Sequence, residues 1–258
     1  MMEKVFHKTV AFRDMPRHYC PGCGHGIVQR LIGEILEELE LLSRAVGVLG
    51  VGCSSPSWPY MNYDMLSVAH GRPGAGATGL KRCSPEKLVF TYQGDGDIGS
   101  IGLSETMYAA IRGENITMIC VNNTIYAMTG GQMAPTTLEG QITTTSPKGR
   151  DVVTTGYPLH LPEMLAGIPN AHFVARCSLH DTANIRKTKQ TIKKAFTNQL
   201  EGKGYSMLEI LSPCPSIWNM GAPECMEKIA NEIMKEYPVG VFKDIDSGVN
   251  PKESAVTA

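Results

Sequence analysis

The chain has 258 residues, with 24 lysines and arginines against 25 aspartates and glutamates, for a formal net charge of −1. That balance argues against a dedicated nucleic-acid binder or a polybasic membrane anchor, and 42% hydrophobic against 19% charged residues excludes disorder as a description of the whole. No stretch approaches the roughly 18 uninterrupted apolar residues of a membrane span, and MMEKVFHKTV lacks a signal-peptide pattern, so the expectation is one cytoplasmic domain over 1–258.

From Cys23, GHGIVQRLIGEILEELEL places Ile27, Leu31, Ile35 and Leu39 four apart, which predicts an amphipathic helix starting close to Cys23. Arg44 to Cys53 is short, apolar and valine-bearing, and reads as a buried parallel strand ending in a glycine-cysteine turn. Leu88 to Gln93 predicts a second such strand, running into GDGDIGSIG and a helix over Leu103 to Arg112. Ile116 to Val121 predicts a third, ending at Asn122 and Asn123. The polar, Thr- and Gly-rich stretch Thr129 to Gly156 has no period and is read as a long ordered loop, a class that is usually functional. A strand over Phe173 to Leu179, a helix over Thr182 to Leu200, a strand over Tyr205 to Leu211 and a helix near Pro223 to Tyr237 follow. Residues 245–258 are polar and expected to fray. Such alternation implies an α/β fold, a mostly parallel sheet with helices on both faces, whose ligands sit beyond the carboxyl ends of the strands. Cys53, Asp95, Asn123 and Cys214 all fall at predicted strand ends.

Gly94-Asp95-Gly96-Asp97 follows an apolar strand and opens a helix, so backbone N–H groups and the positive end of the helix dipole face a guest for which phosphate is the natural candidate. Asp95 offers a hard oxygen ligand for Mg²⁺, and Asn122 or Asn123 at the next strand end offers a second. Among eight cysteines, Cys20-Pro21-Gly22-Cys23 has spacing that serves zinc, iron–sulfur or dithiol chemistry. FRDMPRHY upstream does not read as the strand a thioredoxin-like site wants. Cys120 and Cys177 lie inside apolar strands and read as core; Cys83 and Cys225 read as helix or loop surface without partners. Cys53 and Cys214, at strand ends beside glycine or proline, are the candidate third and fourth ligands, with zinc and iron–sulfur both open.

Gly94-Asp95-Gly96 followed by Asn122-Asn123 resembles the thiamine diphosphate motif, and with YQGDGD, TIYAMTGGQMAPTT and CPGCGHG the chain from about Cys20 to Trp218 resembles the β subunit of 2-oxoacid:ferredoxin oxidoreductases. The resemblance implies the thiamine diphosphate-binding fold, with Mg²⁺ held by Asp95, Asn123 and the carbonyl of Ile125. It implies cofactor contacts from Val51, Gly52, Cys53, Ser54, His70, Gly94, Gly96, Asp97, Ala127 and Met128, with His70 and Met128 nearest the chemistry. It also implies a [4Fe–4S] cluster on Cys20, Cys23, Cys53 and Cys214. Decarboxylation of a 2-oxoacid leaves two electrons that must depart singly, which favours the cluster over zinc.

By the same resemblance the activating glutamate comes from a separate α subunit, with γ and ferredoxin-like δ subunits, ferredoxin, CoA and a 2-oxoacid as further partners. Met128, an apolar residue, and Gly130, where a cation could have stood, favour 2-oxoisovalerate over 2-oxoglutarate. Pro73-Gly74 after His70-Gly71-Arg72 departs from the family pattern and predicts a shifted helix start. Arg186, Lys187, Lys189, Lys193 and Lys194 read as the solvated face of their helix. The rival readings are a non-oxidative thiamine-dependent subunit with structural zinc, and a non-enzymatic iron–sulfur scaffold.

Overall fold

The computed structural model describes residues 7–250. Helix α1 (Gly24–Glu38) leads into β1 (Ala45–Leu49), a 3₁₀ turn (Ser55–Tyr60), β2 (Asp64–Ser67) and α2 (Pro73–Cys83). Then come β3 (Leu88–Gly94), a π-helical turn (Asp97–Ile101), α3 (Leu103–Arg112) and β4 (Thr117–Asn122). The long loop carries β5 (Ile125–Tyr126), β6 (Gln132–Met133) and α4 (Val152–Thr155). The chain continues through α5 (Leu161–Ala166), β7 (Ala171–Ser178), α6 (Thr182–Leu200), β8 (Tyr205–Leu211) and α7 (Pro215–Trp218). It closes with α8 (Ala222–Lys228), a π turn (Ile229–Ile233), α9 (Met234–Glu236) and β9 (Gly240–Asp244).

Seven strands form one sheet in the order β2-β1-β3-β4-β8-β7-β9, parallel throughout except for β9, which pairs antiparallel with β7. Burial on both faces explains why these strands are almost unbroken apolar runs. Phe90, Tyr92, Ile119 and Val121 pack toward α1 and α6, against Val28, Ile32, Ile35, Ile192 and Phe196. Their strand neighbours Val89, Met118 and Cys120 face the other way, against Ala77, Ala109, Ala110 and Leu165 of α2, α3 and α5. Each fully buried Ile or Leu contributes about 1.5–3 kcal/mol, so the α1 stripe alone fixes that helix on the sheet.

Three elements depart from the sequence expectation or from local helix propensity. Strand β2, DMLS, is a mostly exposed edge strand with too few apolar residues to signal one. Helix α2, PGAGATGLKRC, is poor in helix formers but starts with Pro73 at its first position, where proline is pre-organised for a helix. Its small residues permit close packing: a Cβ on Gly74 would lie 3.3 Å from Glu105 on α3. Residues 245–250 fold back rather than fray, with Asp244 and Val249 exchanging backbone bonds of 2.7 and 3.0 Å. Residues 251–258 lie outside the described residues.

The basic residues of α6 are more engaged than a solvated face suggests. Lys189 pairs with Glu34 and Glu38 of α1, Lys193 with Glu38, and Lys194 with Asp244; Arg186 and Lys187 are exposed. Cys225 is also corrected: it is fully buried, not on a surface. Cys120 and Cys177 are buried as expected, and Cys83 is exposed. His172, Asp244 and Asp246 gather their ligand atoms within 4.8 Å of one another, but Lys194 and Lys203 already neutralise the two carboxylates.

His160, at the start of α5, sits between Glu163 (3.4 Å) and Glu236 (2.8 Å). The bond with Glu163 raises its pKa, partial burial opposes, and Glu236 adds to the rise. A raised histidine contributes stability that is fully present below about pH 6.5 and is lost as pH rises through the folded value. Urea unfolding of the wild type is expected to lose no more than about 1 kcal/mol over that window, and His160→Gln is expected to remove the loss. Equal pH slopes for the two proteins would refute it.

Candidate active site

Loops after β1, β3, β4 and β8 meet at one end of the sheet, and these four strands are adjacent in it. Cys53 follows β1, Asp95 follows β3, Asn123 follows β4 and Cys214 follows β8, so residues up to 161 positions apart in sequence converge on one site. Two cavities open there.

The first cavity, of about 200 Å³, is lined by His25, Val51, Gly52, Cys53, His70, Gly94 to Asp97, Asn123 and Ile125 to Thr129. Asp95 is 2% exposed, accepts a short hydrogen bond from Thr136 Oγ1, and has no cationic side chain paired with it among the described residues. Burial pushes its carboxyl up to about 7, the Thr136 bond partly opposes this, and the like charge of Glu209 adds to it. A buried carboxylate without a cation is costly, and a divalent ion is the guest that would satisfy it. Gly96 clears the approach: a Cβ there would strike the Tyr126 ring at 2.1 Å, and Tyr126 Oη donates to the Gly96 carbonyl at 3.0 Å.

The two asparagines separate. Asn122 is turned inward, accepting from Thr124 N at 2.9 Å and donating to Glu209 Oε1 at 2.9 Å. Asn123 lines the cavity, and its Oδ1 accepts from Ile125 N at 3.2 Å. Between them Thr124 holds φ at +62°, an uncommon conformation for a β-branched residue.

Asp97 lines the cavity but spends its carboxylate on the surrounding loops. It accepts from Gly71 N at 2.8 Å, Val51 N at 3.4 Å and Gln93 Nε2 at 2.5 Å, and His70 Nδ1 lies 2.5 Å away. Those bonds tie together the loops around the cavity. Ser54 is buried and lines neither cavity, unlike its neighbours Val51, Gly52 and Cys53.

The second cavity, of about 340 Å³, is lined by Cys20, Cys23, Cys53 and Cys214 together with His18, Tyr19, His25, Asn123, Ala127, Met128, Gly130 and Pro215 to Ile217. Cys23 is pushed up to about 11 and Cys214 to about 12, by burial first and by neighbouring thiols of the set next; a backbone hydrogen bond opposes each rise. Cys53 is raised as well, by burial and then by Cys20 and Asp95. At neutral pH such thiols stay protonated, and a metal that bound them would displace the protons. A single zinc at about 2.3 Å from four sulfurs brings them within about 3.8 Å of one another. Among the described residues no three of these thiols lie within 4.8 Å, because the only group that close is His172, Asp244 and Asp246.

Backbone form sets the cysteine turn. Gly22 has φ +79°, and a Cβ on it would meet Ala222 of α8 at 2.7 Å, so α8 braces the turn from outside. Cys23 N donates to Cys20 O at 3.0 Å, and Gly24 N to Pro213 O at 3.4 Å, tying the start of α1 to the Cys214 loop.

Three residues of weight lay beyond the sequence reading. His25 lines both cavities, is 3% exposed and bonds Tyr92 Oη through Nδ1 at 2.6 Å; burial lowers its pKa to about 4, so the ring is neutral. Its place two residues after Cys23, in CPGCGH, is the available signal. Arg150 is buried in the long loop and donates to the carbonyls of Ala134, Pro135, Thr137, Gly156 and Tyr157, which is why that loop is ordered. Thr136 touches Asp95 from the same loop.

A family model for the thiamine pyrophosphate enzyme C-terminal TPP-binding domain matches residues 50–210. The ketoisovalerate oxidoreductase subunit VorA of Methanothermobacter thermautotrophicus is 44% identical over 250 residues, covering 97% of this chain and 52% of the relative. The chain thus spans about half the length of the ketoisovalerate relatives it matches. The 2-oxoglutarate synthase subunit KorB of Methanocaldococcus jannaschii is 37% identical over 206 residues, 79% of this chain and 72% of that one. A solved 2-oxoglutarate:ferredoxin oxidoreductase from Magnetococcus marinus shares the fold, with a TM-score of 0.76 at 24% identity over 93% of this chain and 86% of that one. Motif, sheet and relatives agree, and the chain belongs to the thiamine pyrophosphate-binding subunits of the 2-oxoacid:ferredoxin oxidoreductases.

Proposed function

We propose that the chain carries the thiamine diphosphate, Mg²⁺ and one [4Fe–4S] cluster of an enzyme that oxidatively decarboxylates 2-oxoisovalerate to an acyl-CoA and passes two electrons to ferredoxin. The observation that carries this reading is the shared wall: His25, Cys53, Asn123, Ala127 and Met128 line both cavities. Groups held on either side of one layer of residues need no further conduit between them. Asp95, Asn123 and the backbone of Ile125 would hold Mg²⁺, and Cys20, Cys23, Cys53 and Cys214 the cluster. Bound there, thiamine diphosphate supplies the carbanion that adds to the ketone and the sink for the electrons released with CO₂.

The residues around it set orientation and selectivity. His70, held against Asp97, and Tyr126 border the cofactor cavity, while Met128 offers a flexible apolar surface shared with the thiol cavity. Among the described residues neither cavity has a lysine or arginine in its lining, which leaves a second substrate carboxylate without a partner there and supports a branched-chain 2-oxoacid over 2-oxoglutarate. The name of the VorA relatives supports the same choice. Among the described residues the only acids lining the cavities are Asp95 and Asp97, one aimed at the cation and one spent on the loops. The activating glutamate therefore comes from an α partner, and γ and ferredoxin-like δ subunits complete the route to ferredoxin. All eight cysteines are free thiols, in keeping with a reducing cytoplasm.

The test is anaerobic purification with the partner subunits and a panel of 2-oxoacids assayed with CoA and a viologen dye. The kcat/KM for 2-oxoisovalerate is expected to exceed that for 2-oxoglutarate about tenfold or more. A preference for 2-oxoglutarate would overturn the substrate, and dye reduction that ignores CoA would overturn the reaction.

A further inference from the structure

We infer that Glu209, held by Arg176, is a positioning residue that sets the cation-binding turn from inside the sheet. The inference rests on the cofactor reading above.

Arg176 on β7 and Glu209 on β8 stand opposite each other in the sheet register, and their side chains are 0% and 1% exposed. Burying such a pair is expensive, and well-packed apolar residues in its place are often as stable or more so. Here almost every polar atom is spent in one direction. Arg176 Nη1 and Nη2 donate to Glu163 Oε1 and Oε2 at 2.8 and 2.7 Å, and Nη1 also reaches Pro238 O at 3.1 Å. Arg176 Nε donates to Glu209 Oε2 at 2.5 Å. Glu209 Oε1 accepts from Asn122 Nδ2, and Asn122 Oδ1 accepts from Thr124 N. The line of bonds runs from α5 across three strands, β7, β8 and β4, and ends on the central amide of the turn whose flanking residues, Asn123 and Ile125, face the cofactor cavity.

The chemistry of the groups explains the choice. An asparagine amide can sit either way round, but a carboxylate only accepts, so Glu209 forces Nδ2 toward itself and Oδ1 toward Thr124. That bond helps hold Thr124 at φ +62°, and Thr137 Oγ1 donating to Thr124 O at 2.6 Å and Gln141 Nε2 donating to its Oγ1 at 2.9 Å complete the clamp. The conformation of Thr124 in turn decides where the Asn123 side chain and the Ile125 backbone point. A glutamine at 209 can present either a donor or an acceptor, and the amide of Asn122 loses its single orientation.

Glu209→Gln is therefore expected to raise the dissociation constant for Mg²⁺, measured by calorimetry at saturating thiamine diphosphate on the full chain, about tenfold or more. The far-UV circular dichroism of the unloaded protein should be unchanged. Glu163→Gln, at the partly exposed outer end of the line, is expected to raise it by less, and it serves as the test if Glu209→Gln does not fold. Wild-type binding undiminished in the variant that folds overturns this inference alone. No binding by the wild type overturns the cofactor reading and this inference with it.

Discussion

Replacing Asp95 with asparagine is expected to weaken binding of Mg²⁺ and thiamine diphosphate by more than about a hundredfold while leaving the unloaded protein as stable as before, or more so. Loss of a residue that merely supports a metal ligand costs 10–100-fold, and Asp95 is proposed as the ligand itself. The stability side follows from burial. The Asp95 carboxyl is 2% exposed, lacks a cationic partner among the described residues, and is pushed up to about 7 by that burial, so its charge is held at a cost that the neutral amide does not carry. The amide oxygen can still accept from Thr136, which keeps the long loop anchored. Calorimetry for the ligands and urea unfolding for the empty protein give the two halves of the result. A variant that binds normally sinks the assignment of Asp95; one that fails to bind because it is unfolded argues for a structural residue instead.

The second large effect concerns Cys214. This thiol lines the cysteine cavity and not the cofactor cavity, so Cys214→Ala separates the two groups as Cys53 could not. The anaerobically purified variant is expected to lose its iron and its broad visible absorption, and dye reduction should fall to background, while affinity for thiamine diphosphate with Mg²⁺ is retained. Cys214 is 7% exposed, and alanine removes one small buried group, so the folded chain survives at a cost of about 1–2 kcal/mol. Iron retained in the variant would remove Cys214 from the ligand set. Zinc found in the wild type in place of iron would overturn the cluster itself.

Most of the site was legible because buried parallel strands leave a plain mark in sequence: an apolar run that stops at glycine, asparagine or cysteine. Asp95, Asn123, Cys53 and Cys214 were each found at such a stop, and the sheet places all four strands side by side. That adjacency was not legible, since nothing in a strand's own residues names its neighbours. The chemistry of the two residues does not separate Asn122 from Asn123, a choice that only the family resemblance makes, because the difference lies in Glu209, which is 87 positions away. Edge strand β2 is not legible because tertiary packing, not local propensity, makes it, and the helix expected after His70-Gly71-Arg72 is signalled by Pro73 and small residues rather than by an apolar stripe. Cys225 carries no mark of burial for a related reason: α8 turns it inward, and a short helix has too few residues to show which face is covered.

Asp97 has a thermodynamic consequence that a contact inventory conceals. One carboxylate holds the amide of Val51, the amide of Gly71 and the side chain of Gln93, and it touches His70, so segments from three different parts of the chain share a single fastening. Losses at such a point do not sum: once one partner is gone the carboxylate is free to re-aim, and removing a second costs less than it would have alone. This rim of the cofactor cavity is thus a cooperative unit, in which the effect of any one change depends on whether another has already been made.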